Sequence, residues 1–147
     1  MSQYINFYLR DQNKDTYVSI MDYSRNSSMY EIFHDEFPYE RGRQLTYAKV
    51  EEARCRIKNE IDECYKNIKD ARKIIKLAFT SLRPLDEINQ YVYEQRVLIN
   101  DLKERIKSYR SAQRDIEFMW DMTYCGREDE DREIWVGVEW DPNYKES

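Results

Sequence analysis

Residues 47–82, YAKVEEARCRIKNEIDECYKNIKDARKIIKLAFTSL, decide the fold. Val50, Arg54, Ile57, Ile61, Cys64, Ile68, Ala71, Ile75, Ala78 and Leu82 follow one another at alternating steps of four and three residues. That is the coiled-coil period, which keeps a dry stripe turned toward a partner helix along its whole length. Thr46 is suited to cap this helix, and Leu45 before it can close on Val50 as a hydrophobic staple.

The partner helix comes next in the chain. Pro84 disfavours helix at Arg83 and can open a new one, while Asp86 and Glu87 suit the positive end of its dipole. Leu85, Ile88, Val92, Gln95, Ile99, Leu102, Ile106, Tyr109, Gln113, Ile116 and Trp120 then repeat the same period. An antiparallel fold at Pro84 pairs Ala78 with Val92, Ala71 with Ile99, Cys64 with Ile106 and Val50 with Trp120. Small side chains oppose large ones in three of these layers, as close packing requires. Tyr124, Cys125 and Gly126 supply the stop, with Gly126 fit for a left-handed cap. Residues 46–125 therefore read as a long helical hairpin, each arm roughly 50 Å at 1.5 Å per residue.

The flanking sequence changes period. Residues 4–9 alternate, with Ile5, Phe7 and Leu9 on one side, and residues 16–21 resume after the turn formers of 11–15, which predicts a β-hairpin. Ser28 stands at capping-box distance from Glu31, so Met29, Ile32, Phe33 and Phe37 predict one short helix ended by Pro38. Residues 37–44 read as a loop. Ile134, Val136, Val138 and Trp140 predict a third strand, closed by Asp141, Pro142 and Asn143. The expected fold is α+β: a single domain over 1–147, with a small antiparallel sheet head (1–45 and 126–147) built from both chain termini plus the short helix, carrying the two-helix coiled-coil hairpin (46–125).

Composition is consistent with such a molecule. With 147 residues, 41% hydrophobic and 36% charged, the chain can bury one modest core while keeping long helical faces wet. An elongated form is expected. No run of about 18 apolar residues occurs, and the N-terminus lacks a signal-peptide pattern, so no membrane role and a cytoplasmic location, in the host cytoplasm if the chain is viral, are expected. Cys55 and Cys64 are too far apart in helical angle to pair, and Cys64 lies on the seam as a packed thiol. The net charge of −5 is uneven. Residues 46–124 hold 16 basic and 14 acidic side chains, whereas 125–147 hold 3 and 8.

Chemistry-bearing patterns are few. His34 is the only histidine and Gly occurs at three positions, so His-based metal sites, nucleophile pairs and a phosphate-cradling glycine loop are not expected; nor are catalytic residues or cofactors. Arg41 and Arg43 around Gly42 form a candidate anion site. Lys66, Lys69, Lys73 and Lys76, with Lys103, Lys107, Arg110 and Arg114, form stripes able to contact phosphates. Glu128, Asp129, Glu130 and Asp131 form a candidate acidic contact, without the ligand alternation of a calcium loop. Near the turn of the hairpin, Ile74, Leu77, Phe79, Tyr91, Tyr93, Val97 and Leu98 add apolar surface beyond the seam, which marks a protein interface. The expectation is a non-enzymatic interaction or assembly protein that binds a protein partner or dimerises through its hairpin. Two alternatives are an inhibitor or adaptor of viral or mobile-element origin that blocks a nucleic-acid enzyme, and a nucleic-acid binder using the lysine stripes.

Overall fold

The computed structural model describes residues 4–11, 16–24, 26–33, 37–38, 41–124 and 132–143. His34, Glu128, Asp129, Glu130, Asp131 and the Gly126 cap fall outside the described residues. The elements are β1 (Tyr4–Asp11), β2 (Thr16–Ser24), α1 (Ser28–Phe33), β3 (Arg43–Leu45), α2 (Tyr47–Phe79), α3 (Leu85–Thr123) and β4 (Arg132–Val138). The α+β class and the antiparallel helical hairpin are as the sequence predicts. The chain divides into two compact units, one formed by 1–56 with 112–147 and the other by 57–111, so each long helix contributes to both.

The first unit is built on a four-stranded antiparallel sheet in the order β2-β1-β4-β3. Strand β3 corrects the sequence reading, which places residues 37–44 in a loop. Arg43, Gln44 and Leu45 pair with Val136, Trp135 and Ile134, a contact between segments about 90 residues apart that no local pattern in three residues could announce. β1 and β2 are also longer than the alternation suggests, because a bulge opposite Phe7 and Tyr8 resets the register and lets pairing continue to Ser24. α1 is capped one residue earlier than expected, since the Tyr30 amide donates to Ser27 Oγ at 3.4 Å.

One face of the sheet is dry. Ile5, Phe7, Ile134, Val136 and Val138 are buried on it, and Phe7 lies within 6 Å, ring centre to ring centre, of Tyr23, Phe33 and Phe37. Met29 and Ile32 of α1, Val50 and Ala53 of α2, and Ala112, Ile116 and Met119 of α3 are buried in the same unit. Arg56 donates to the Ile32 carbonyl and so satisfies the end of α1. Tyr23 donates to Asp115 Oδ2 at 2.7 Å, tying β2 to α3.

The opposite face carries Asn6, Tyr8, Arg10 and Trp135, and the chain returns to cover it. Glu139 takes a left-handed conformation (φ 48°), after which Trp140 packs edge-on against Tyr8 and Tyr17. Asn6 Nδ2 and Tyr8 OH both donate to the Trp140 carbonyl, at 2.8 and 3.2 Å. Arg10 stacks on Tyr17 and Trp135 and pairs with Glu133 at 3.4 Å. Gly42 lies under the Trp140 ring and Gly137 under the Arg41 carbonyl, each so close that a β-carbon would overlap its neighbour. Glycine here is a packing requirement: Gly42→Ala is expected to lower stability by about 1–3 kcal/mol, measured by urea denaturation.

The Tyr23 contact also sets a pH dependence. Burial first, and then the hydrogen bond to Asp115, hold its hydroxyl well above the ordinary value near 10. Tyrosines of the unfolded chain lose protons through that value while Tyr23 keeps its own, so stability is intact below about pH 10 and falls as pH rises beyond it. Tyr23→Phe is expected to cost about 1 kcal/mol at neutral pH and to flatten the decline above pH 10, read from denaturation midpoints across that range.

Candidate functional site

The second unit, 57–111, is helical throughout except for the turn between α2 and α3. Its seam is buried at Ile57, Ile61, Cys64, Ile68 and Ala71 on α2, and at Ile88, Val92, Ile99, Leu102, Ile106 and Tyr109 on α3. Tyr65 and Arg110 meet across the helices, Arg110 donating to the tyrosine hydroxyl at 2.7 Å. In the first unit Arg54 binds Glu117 through two hydrogen bonds of 2.7 and 3.1 Å and lies 4.2 Å over the Trp120 ring. Both contacts support the antiparallel register inferred from the spacing.

The seam departs from the sequence reading at both extremes. In the first unit Ala53, Ala112 and Met119 are buried where the spacing names Arg54, Gln113 and Trp120. Rotating the stripe by one residue leaves the guanidinium in reach of water and of Glu51 and Glu117, and puts small or flexible side chains where the helices approach. Trp120 packs instead between Tyr47 and Tyr124, at 4.6 and 5.0 Å. At the turn, Ile75 and Ala78 are half-buried, and Leu82 and Leu85 are 104% and 69% exposed. α2 ends at Phe79 because Thr80 and Ser81 switch to tighter amide bonds with Leu77 and Ala78, and Thr80 Oγ1 also donates to the Leu77 carbonyl. The chain leaves the helical path before Leu82 can rejoin the seam.

A cleft of about 310 Å³ opens beside this turn, lined in part by Ile74, Leu77, Ala78, Ile88 and Tyr91. Ile74 and Tyr91 flank the seam on the same side of the hairpin, and Leu98 follows Tyr91 by seven residues on that side. Leu77 is 68% exposed, and Tyr91 and Leu98 are each more than 40% exposed. Phe79, Tyr93 and Val97, named with them from sequence, are exposed too but lie on other faces of their helices. Seven apolar residues thus resolve into a four-residue patch, Phe79 and Tyr93 on the opposite flank, and Val97 on the outer face of α3.

The two flanks of the hairpin differ in charge. On the side of the patch stand Glu60, Glu63 and Asp70 of α2 and Glu87, Glu94 and Asp101 of α3, against Arg105 of α3 and Arg83 of the turn, which lines the cleft. On the side of Tyr65 and Arg110 stand Lys58, Lys69, Arg72 and Lys76 of α2. Arg96, Lys103 and Lys107 of α3 accompany them, against Asp62 and Asp86. All of these charged residues are exposed. Lys66 and Lys73 point away from both flanks, on the outermost face of α2. Arg114 lies in the first unit, as do Arg41 and Arg43, which are exposed. Gly42 between those arginines is held beneath Trp140.

Among the described residues no three His, Cys, Asp or Glu side chains are grouped so as to hold a metal ion, and no helix is long and apolar enough to cross a membrane. Cys55 is an exposed thiol and Cys64 a buried one. Protein-family models, curated proteins and solved structures were compared with the chain, and none matches.

Gln95 is the one amide in the buried seam of the second unit, and its Oε1 is enclosed without a hydrogen-bond donor. A buried acceptor left without a partner destabilises by about 1–3 kcal/mol. Gln95→Leu is therefore expected to raise the urea midpoint, by about 1 kcal/mol of stability once packing adjusts.

Proposed function

We propose that this chain is a non-enzymatic interaction protein that docks a partner protein on the face formed by Ile74, Leu77, Tyr91 and Leu98. The observation that carries this reading is the cleft of about 310 Å³ at which the helical seam opens, with Leu77 68% exposed beside it. Exposed apolar side chains grouped around a concavity, rather than scattered singly, are the surface feature that interfaces share.

The surrounding charge specifies the partner. Asp70, Glu87, Glu94 and Asp101 outnumber Arg83 and Arg105 around the patch, so two copies joined symmetrically through it would bring an excess of like charges together as the apolar groups were buried. A partner segment with an apolar ridge flanked by Lys or Arg meets both demands. This replaces symmetric dimerisation with heterologous docking as the favoured mode.

The test compares the wild-type chain with Leu77→Ser/Leu98→Ser as baits in affinity capture from the native host, followed by titration of the purified retained protein. Both positions are exposed, so helicity and stability should be unchanged within about 0.5 kcal/mol. The expected result is a retained protein whose affinity falls at least tenfold with the double variant and again with Glu87→Lys/Glu94→Lys. Equal retention by wild type and double variant would remove the proposal, and a concentration-dependent doubling of mass in light scattering that the double variant abolishes would replace the partner with a second copy.

A further inference from the structure

The other flank of the hairpin carries a second, independent surface. We infer that the face bearing Lys69, Lys76, Lys103 and Arg110 binds the phosphate backbone of a nucleic-acid duplex.

The net charge of the whole chain conceals this surface. The −5 total is the sum of opposite parts: residues 57–111 hold 12 Lys and Arg against 9 Asp and Glu, and the remainder holds 12 against 20. Within 57–111 the charges are sorted again, because six of the nine acids stand on the patch flank and eight of the twelve bases on the flank of Tyr65 and Arg110. A random distribution over a wet helix would interleave the signs, and a helix stabilised by its own ion pairs would do so at steps of four. The ion pairs described in this protein all lie outside 57–111. The cations of this flank are exposed.

The Tyr65–Arg110 contact supplies what the sequence lacks, because it joins the stripe of α2 to that of α3 on one surface. Within a row, Lys69, Arg72 and Lys76 on α2 and Lys103, Lys107 and Arg110 on α3 recur at steps of three and four residues, roughly 5 Å of rise each. In the antiparallel register the α3 triplet is followed along the hairpin by the α2 triplet, so with Lys58 and Arg96 they form one cationic band roughly 25 Å long at 1.5 Å per residue, which suits the phosphate backbone along most of a duplex turn. A phosphate backbone presents charge continuously over that length, whereas an acidic peptide presents it only at spaced side chains. Phosphate contacts of this kind position a duplex without reading its sequence, so the binding is expected to be strong at low salt and indifferent to base order.

The experiment titrates the full chain against a fluorescein-labelled 20-base-pair duplex, as DNA and as RNA, by fluorescence anisotropy from 50 to 200 mM salt. Saturable binding that weakens about a thousandfold across that range is expected for roughly six phosphate contacts. Lys69→Ala/Lys103→Ala should weaken binding at least tenfold and lower the salt slope by about two. Lys66→Ala/Lys73→Ala removes the same charge from the outermost face and should change affinity less than twofold. Equal losses in the two double variants would reduce the effect to net charge and overturn the assignment, as would an absence of saturable binding at 50 mM salt. Tighter binding to anionic phosphatidylserine vesicles than to either duplex would overturn it in favour of a lipid surface. Leu77→Ser/Leu98→Ser should bind the duplex as wild type does, so failure of the docking proposal and failure of this one are read separately.

Discussion

The structure depends on one constraint: the apolar side chains of α2 and α3 can leave water only against each other. Ile57, Ile61, Cys64, Ile68 and Ala71 face a second helix that offers Ile88, Val92, Ile99, Leu102 and Ile106 at the matching period. Neither helix has another apolar stripe of comparable length. Each of these burials is worth a few kcal/mol for a large side chain, and in the second unit nothing else offsets the entropy of ordering some fifty residues. The remaining faces are left to solvent and to charge, and sequence there is free to serve recognition. That freedom explains how two flanks of one hairpin can differ so much in sign without strain on the fold.

Much of this was legible in the chain itself, because an alternating step of four and three is a geometric statement about which side chains share a line. The antiparallel direction followed from Pro84, and the strands from alternation around Phe7 and Val136. What escaped has a common physical cause, which is dependence on groups far apart in sequence. β3 exists because β4 offers it an edge, and Gly42 is required because Trp140 folds over it from nearly a hundred residues away. The return of Trp140 in turn needs the left-handed turn at Glu139, a residue type whose preference does not announce that conformation.

The ends of the seam teach a finer lesson. Spacing alone put Arg54, Gln113 and Trp120 in the buried line, and it is the energetics of the individual groups that moved the stripe to Ala53, Ala112 and Met119. A guanidinium is costly to bury and inexpensive to leave half-wet beside two carboxylates and an indole face. Where the line holds a neutral amide instead, at Gln95, the helix did not rotate away, because Val92 and Ile99 on either side hold it in phase. The same rule of periodicity thus yields different burial depending on whether the exceptional residue sits at an end of the stripe or in its middle.

The candidate site was half legible for a related reason. Excess apolar residues near Pro84 could be counted, but they could be sorted into faces only once the register of the two helices was fixed. Residues that flank the seam on α2 meet one of two flanks of α3, and the choice decides whether a surface is a patch or a scatter. The Tyr65–Arg110 contact and the cleft at Ile74 and Tyr91 settle which side is which within 57–111. Charge then separates along the division that the register creates, acids around the apolar patch and bases opposite. A hairpin with equivalent flanks would bind any partner in two orientations. Under the two binding modes proposed above, opposite potentials on the two sides would give each approaching molecule a single productive face, because the wrong side would repel what the right side attracts.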